Sequence, residues 1–189
     1  MFEETLKKLA AALDKTGIPY MIIGGQAVLI YGEPRFTRDI DITLGVGTED
    51  LERVLSLGRK IGLKPMTKNI ESFVSDTMVL PVQDSATGMK VDFVFSFTPY
   101  ERKAIQRAKK MRMGRQTVCF ASPEDVIIHK IFSGRPRDLE DARGIVLKPR
   151  RLDKKYIVHW LKEFDQSFAG RKFLETFKKM LKDSGNTIS

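Results

Sequence analysis

The sequence predicts an α+β chain, a mixed sheet flanked by helices over residues 1–121 followed by a helical C-terminal region over residues 122–189. Two observations carry this. Short apolar runs of strand length, Tyr20–Ile23, Asp39–Leu44, Met89–Phe97 and Gln116–Phe120, alternate with segments of helical periodicity in the first part. Beyond Ser122-Pro123 only helical patterns follow.

Phe2, Leu6, Leu9 and Leu13 recur at spacings of four, three and four, one face of a helix that should end near Gly17-Ile18-Pro19. Tyr20–Ile23 reads as a short buried strand. Gly24-Gly25 then lead into a helix, Gln26–Tyr31, with Gly32 as its stop. After the Glu33-Pro34 loop, Asp39–Leu44 is a second strand. Thr48 is the expected N-cap of an amphipathic helix over Leu51–Ile61, ended by Gly62. From Leu63 to Val82 the chain reads as short strands and loops. In the strand Met89–Phe97, Val91, Phe93 and Phe95 share one face; Lys90, Asp92 and Val94 share the other. Tyr100–Lys110 reads as a basic helix and Gly114 as the turn before Gln116–Phe120. Ser122-Pro123-Glu124-Asp125 has a capping serine, a first-turn proline and first-turn acids, opening a helix that carries Lys130. Arg135-Pro136-Arg137-Asp138 opens another, containing Asp138 and Asp141. Two further helices fall near Lys154–Phe164 and Phe173–Leu181.

Composition narrows the function classes. With 42% hydrophobic residues the chain can bury a core. The single cysteine, Cys119, allows no internal disulfide, and two distant histidines make no zinc site. No apolar run approaches the roughly 20 residues that span a bilayer. The N-terminus is too interrupted by charge for a signal peptide. The expectation is a cytoplasmic protein. Net charge is +9: residues 1–100 hold 11 Lys+Arg against 13 Asp+Glu, residues 101–189 hold 22 against 11. The positive excess in the second half suits a polyanionic partner or a lysine-rich solvated surface.

The chemistry concentrates between Tyr20 and Leu44. Asp39 and Asp41, two residues apart on a strand, project to one face and repel each other. A divalent cation removes that repulsion. Gly24 and Gly25 sit where a strand turns into a helix and bare backbone N–H groups can approach phosphate. An acid within the apolar strand Met89–Phe97 is unusual, so Asp92 is the expected third carboxylate if that strand pairs beside Asp39–Leu44. The Walker pattern of P-loop enzymes is absent.

This constellation, Gly24-Gly25, then Asp39-Ile40-Asp41, then Asp92, resembles the nucleotidyltransferase superfamily with the polymerase-beta-like fold. Lys130, the Arg-Pro-Arg-Asp run and Asp138-x-x-Asp141 look like the AbiEii-type members, known as toxins of type IV toxin–antitoxin pairs. The resemblance implies Asp39, Asp41 and Asp92 as catalytic residues and ligands of Mg²⁺ (or Mn²⁺), with Asp92 assisting deprotonation of the acceptor hydroxyl. It implies Gly24 and Gly25 around the triphosphate, Lys130 neutralising phosphate charge, and Asp138 positioning Lys130 or the acceptor; Arg38 carries little weight. The partners it implies are an NTP substrate, an antitoxin protein and a hydroxyl acceptor, which is RNA or tRNA, a protein or a small molecule. Two metal ions about 4 Å apart would hold the attacking oxygen and the leaving pyrophosphate in line.

Each part has a plainer reading. A Gly-Gly turn is often structural, and metal-dependent glycosyltransferases also carry Asp-x-Asp. Lys130 can be a solvated lysine, and Asp138 and Asp141 helix-start acids. A catalytically inactive nucleotide- or RNA-binding module of the same fold is the alternative function. The basic stretch Glu101–Lys110 with Arg135, Arg137, Arg150 and Arg151 is expected around the mouth of the site, favouring an RNA acceptor.

Overall fold

A computed structural model describes the chain except for Met1, Arg35, Phe36, Arg38, Phe97, Pro149, Arg150 and residues 184–189. Arg38, Phe97 and Arg150, named above, thus lie outside the described residues. The chain forms two compact units: Met1–Gln26 with Phe36–Ala121, and Ala27–Arg35 with Ser122–Ser189.

In the first unit, α1 (Phe2–Thr16) buries Leu6, Leu9 and Leu13, the row its spacing predicts. The strands are β1 (Tyr20–Ile23), β2 (Asp39–Leu44), β3 (Leu63–Pro65), β4 (Val79–Asp84), β5 (Lys90–Phe95), β6 (Lys109–Met113) and β7 (Gln116–Phe120). They form one mixed sheet in the order β3-β4-β5-β2-β1-β7-β6. β2 runs parallel to β5, and β1 runs parallel to β7; the remaining neighbours are antiparallel. One face is apolar: Ile22, Ile40, Ile42, Phe93, Phe95, Val118 and Phe120 are all at most 1% exposed. Each such side chain contributes on the order of 1.5–3 kcal/mol of burial, so this face sets the register.

Three expectations fail here, each for a local reason. α2 (Gly24–Tyr31) begins at the glycines themselves, two residues earlier than the spacing suggested. Thr48 caps nothing: Thr48–Asp50 make one 3-10 turn, and α3 (Leu51–Lys60) follows with Asp50 at its N-cap and no side-chain capping bond. The basic helix stops early. Pro99–Gln106 is α5, started by a reciprocal capping box between Thr98 and Glu101, while Lys109 and Lys110 belong to β6. A helix over Ile70–Thr77, α4, was not foreseen. Val74 is its one buried residue, so it shows no apolar stripe to read.

The second unit is helical: α6 (Pro123–Ser133), α7 (Pro136–Leu147), α8 (Lys154–Ser167) and α9 (Phe173–Asp183), together with most of α2. Ser122 caps α6 through the Asp125 N–H, and Gly134, at φ +68°, ends it in the left-handed conformation that favours glycine.

Candidate active site

β2 and β5 place the acids. Their parallel register sets Asp41 beside Asp92 and Asp39 beside Lys90, so all four project from the face opposite the apolar one. Asp39 is exposed; Asp41 and Asp92 are half-buried. Burial first, and then the charge of Asp39, push the Asp92 carboxyl above the usual aspartate range, against a smaller opposing effect of Lys90. The Gln26 amide and the Thr37 hydroxyl both donate to the Asp39 carbonyl, at 3.5 and 3.4 Å.

Gly24 meets the same cluster. Ile23, the last residue of β1, is paired with Asp41, and the chain leaves the strand through Gly24 at φ +65°. A Cβ at this position would lie 1.9 Å from the Asp41 Oδ2, so the carboxylate rests on the bare Cα. A glycine is therefore required twice, by conformation and by space. Gly25 follows in the first turn of α2 and is buried.

Among the described residues no group of three His, Cys, Asp or Glu side chains is arranged to hold a metal ion. In donor chemistry and in register Asp39, Asp41 and Asp92 suit a hard divalent cation, oxygen ligands with three negative charges on one patch.

Lys130 and Asp138 form a separate cluster within the second unit. Gly134 ends α6, and Pro136 starts α7 so that Asp138 and Asp141, one turn apart, face back onto Lys130. The Lys130 Nζ lies 2.5 Å from Asp138 Oδ1 and 2.9 Å from Asp141 Oδ2, with all three side chains under 10% exposed. Ser133 Oγ and Arg135 Nε donate to the other Asp138 oxygen at 2.6 and 2.5 Å. Burial raises the Asp138 pKa, but the hydrogen bonds from Lys130, Ser133 and Arg135 outweigh it and hold the carboxyl at about 2. The plainer reading of Lys130 as a solvated lysine is thereby overturned. Asp138 does stand in the first turn of α7, as the plainer reading has it, but its carboxylate and that of Asp141 turn onto the ammonium. A cavity of about 240 Å³ in this unit is lined by Glu33, Arg137, Glu140, Asp141 and Gly144.

The sequence reading passed over Lys90, Gln26 and Ser133. Lys90 was readable from the strand alternation; the contacts of Gln26 and Ser133 come from folding and left no pattern.

The profile of the family described as "Nucleotidyl transferase AbiEii toxin, Type IV TA system" matches residues 9–183. No curated protein matches the chain in sequence. In fold it is similar to the antibiotic-resistance factor ANT(2'')-Ia, at 16% identity over 87% of this chain and 91% of that one, with a TM-score of 0.61. An antigenic nucleotidyltransferase-like protein from Paracoccidioides brasiliensis shares 17% identity over 87% of both chains, at 0.57. The lincosamide antibiotic adenylyltransferase LnuA shares 14% over 76% of this chain and 95% of that one, at 0.53. The sheet is thus of the nucleotidyltransferase fold, and with nearly its whole length matched the chain belongs to the AbiEii nucleotidyl transferase family of type IV toxin–antitoxin systems.

Proposed function

We propose that the protein transfers a nucleoside monophosphate from an NTP to a hydroxyl acceptor, with Asp39, Asp41 and Asp92 holding Mg²⁺ or Mn²⁺. The observation that carries this reading is the meeting of three elements at one point: Asp41 beside Asp92 in the strand register, and Gly24 directly against the Asp41 carboxylate. It sets a phosphate-sized backbone turn next to the acids that would hold the phosphate's counterion.

The cation, bound at Asp39, Asp41 and Asp92, would neutralise the charge that accumulates at the transferring phosphate. The residues supply the rest. Backbone N–H groups at Gly24 and Gly25, at the N-terminal end of α2, bind phosphate oxygens along the positive end of the helix. The acceptor oxygen forms its bond to the α-phosphorus as the bond to the bridging oxygen breaks and pyrophosphate leaves. Asp92 takes the hydroxyl proton. Within the second unit, Asp138 and Asp141 hold the Lys130 ammonium in place.

The acceptor in this reading is RNA, with the end of a tRNA as the first candidate, and an antitoxin protein is the partner its family membership suggests. The alternative is a nucleotide- or RNA-binding module of the same fold without turnover. One experiment divides the two. The protein is incubated with each α-labelled NTP, Mg²⁺ or Mn²⁺, and tRNA. Label should pass to the RNA and vanish with Asp39→Asn, Asp41→Asn or Asp92→Asn, and the thermal shift caused by Mn²⁺ should vanish with it. If Asp92→Asn keeps most of its transfer activity, the assignment of the third acid is wrong; NTP binding without transfer in the unaltered protein establishes the alternative.

A further inference from the structure

The first unit carries a basic ridge that the chemistry above leaves unused. Arg102 and Lys103 on α5, Lys109, Lys110 and Arg112 on β6, and Arg115 in the turn after it are all exposed. The one acid in that stretch, Glu101, is taken up by the capping box. Among the described residues none of the six cations forms an ion pair.

Strand register fixes where the ridge lies relative to the acids. Ile22 is paired with Ile42 on one side and with Phe120 on the other, so all three share the apolar face. Lys110 is paired with Cys119 and Arg112 with Thr117, one and three residues out of phase with Phe120. Lys110 and Arg112 therefore belong to the opposite face, that of Asp39, Asp41 and Asp92, whereas Lys109, paired with Phe120, belongs to the other. β6 starts opposite Phe120, at the end of the sheet where β1 reaches Gly24 and where β2 begins with Asp39. Three strand spacings separate β6 from β2, roughly 14 Å at about 4.8 Å each.

We infer that this ridge is a nucleic-acid docking track, which holds an acceptor strand by its phosphates beside the end of the sheet where Gly24 and Asp39 lie. Lysines on an edge strand also protect a sheet from unwanted pairing, but that purpose needs no cations on α5. An acidic polypeptide adding as a strand to β6 would likewise leave Arg102 and Lys103 without a role. The inference rests on the proposed reading only in naming the strand an acceptor; the binding itself is separable from turnover.

The test is fluorescence anisotropy of a labelled oligouridylate with the full chain, over a salt series and without nucleotide. The ridge variant is Arg102→Glu/Lys110→Glu/Arg112→Glu. A control with the same change in net charge is Lys178→Glu/Lys179→Glu/Lys182→Glu on α9. The ridge variant should bind at least about tenfold more weakly, and its slope of log K against log salt should fall by about 2, from roughly 0.7 for each of three lost phosphate contacts. The control should stay near the parent. Equal weakening in both variants, or in neither, overturns the track. So does a polyglutamate chain of matched charge that binds as tightly as the RNA, which would assign the ridge to an acidic protein. Should the Glu variant fail to fold by circular dichroism, Arg102→Gln/Lys110→Gln/Arg112→Gln is read the same way, with the slope as criterion. Loss of nucleotidyl transfer with binding intact would count against the proposed activity alone.

Discussion

Asp138→Asn removes one carboxylate from a buried cluster while keeping its shape and its acceptor oxygen for Ser133 and Arg135. The carboxyl, ordinarily at 3.8, is held at about 2 in the folded protein, and its side chain is 5% exposed. At roughly 1.4 kcal/mol per pH unit, the ionised group contributes about 2 kcal/mol to folding. Because the folded value lies below the unfolded one, the contribution is complete above about pH 4 and is lost as pH falls through 4 toward 2. Thermal unfolding at pH 7 should show the variant melting about 4–8 °C lower for a chain of this size. The gap should narrow to roughly a third by pH 2.5 and close only below about pH 2. Lys130→Met is the companion: it strands Asp138 and Asp141 as buried carboxylates without their cation and should cost more, on the order of 3–5 kcal/mol. A gap that stays constant from pH 7 to pH 2.5, or a loss of less than about 0.5 kcal/mol, would refute the argument that Lys130 is held by charge.

Two further substitutions probe the strand site. Gly24→Ala places a Cβ on the Asp41 carboxylate at φ +65°, whereas Gly62→Ala meets the same conformational penalty, about 1–2 kcal/mol, at φ +74° with nothing within 4 Å. Both should lose that stability in urea titrations, but only Gly24→Ala should also lose NTP affinity by calorimetry; equal affinity in the two would place the triphosphate elsewhere. Thr43, fully buried on the acid face of β2, has an Oγ1 without a hydrogen-bond partner among the described residues. Thr43→Val should raise stability by about 1 kcal/mol, and a lower melting temperature would show that the hydroxyl is satisfied in solution.

What could be read along the chain was whatever local burial writes into it. The limits of β1, β2 and β7 and the buried row of α1 follow from apolar runs and helical spacing. The two faces of β5, with Val91, Phe93 and Phe95 inward and Asp92 outward, follow from strict alternation. Where burial is slight, the pattern is mute. α4 buries Val74 alone, and β6 is held by its ladder with β7 at a sheet edge, which is why Lys109 and Lys110 read as the continuation of a helix.

By itself, then, the sequence determined the strands β1, β2, β5 and β7, the helix row of α1, the face each acid occupies and the Gly-Gly turn ahead of the Asp-x-Asp strand. Only the tertiary structure decided that β2 and β5 are neighbours in a register that sets Asp41 against Asp92, that Gly24 seats the Asp41 carboxylate, and that Lys130 is enclosed by Asp138 and Asp141. The division has a physical cause. Periodicity records which side of an element faces the core, a property of neighbouring residues. Register and ion pairing depend on which distant segments meet, and those meetings are chosen by the packing of the whole apolar face rather than by the charged residues it carries into place.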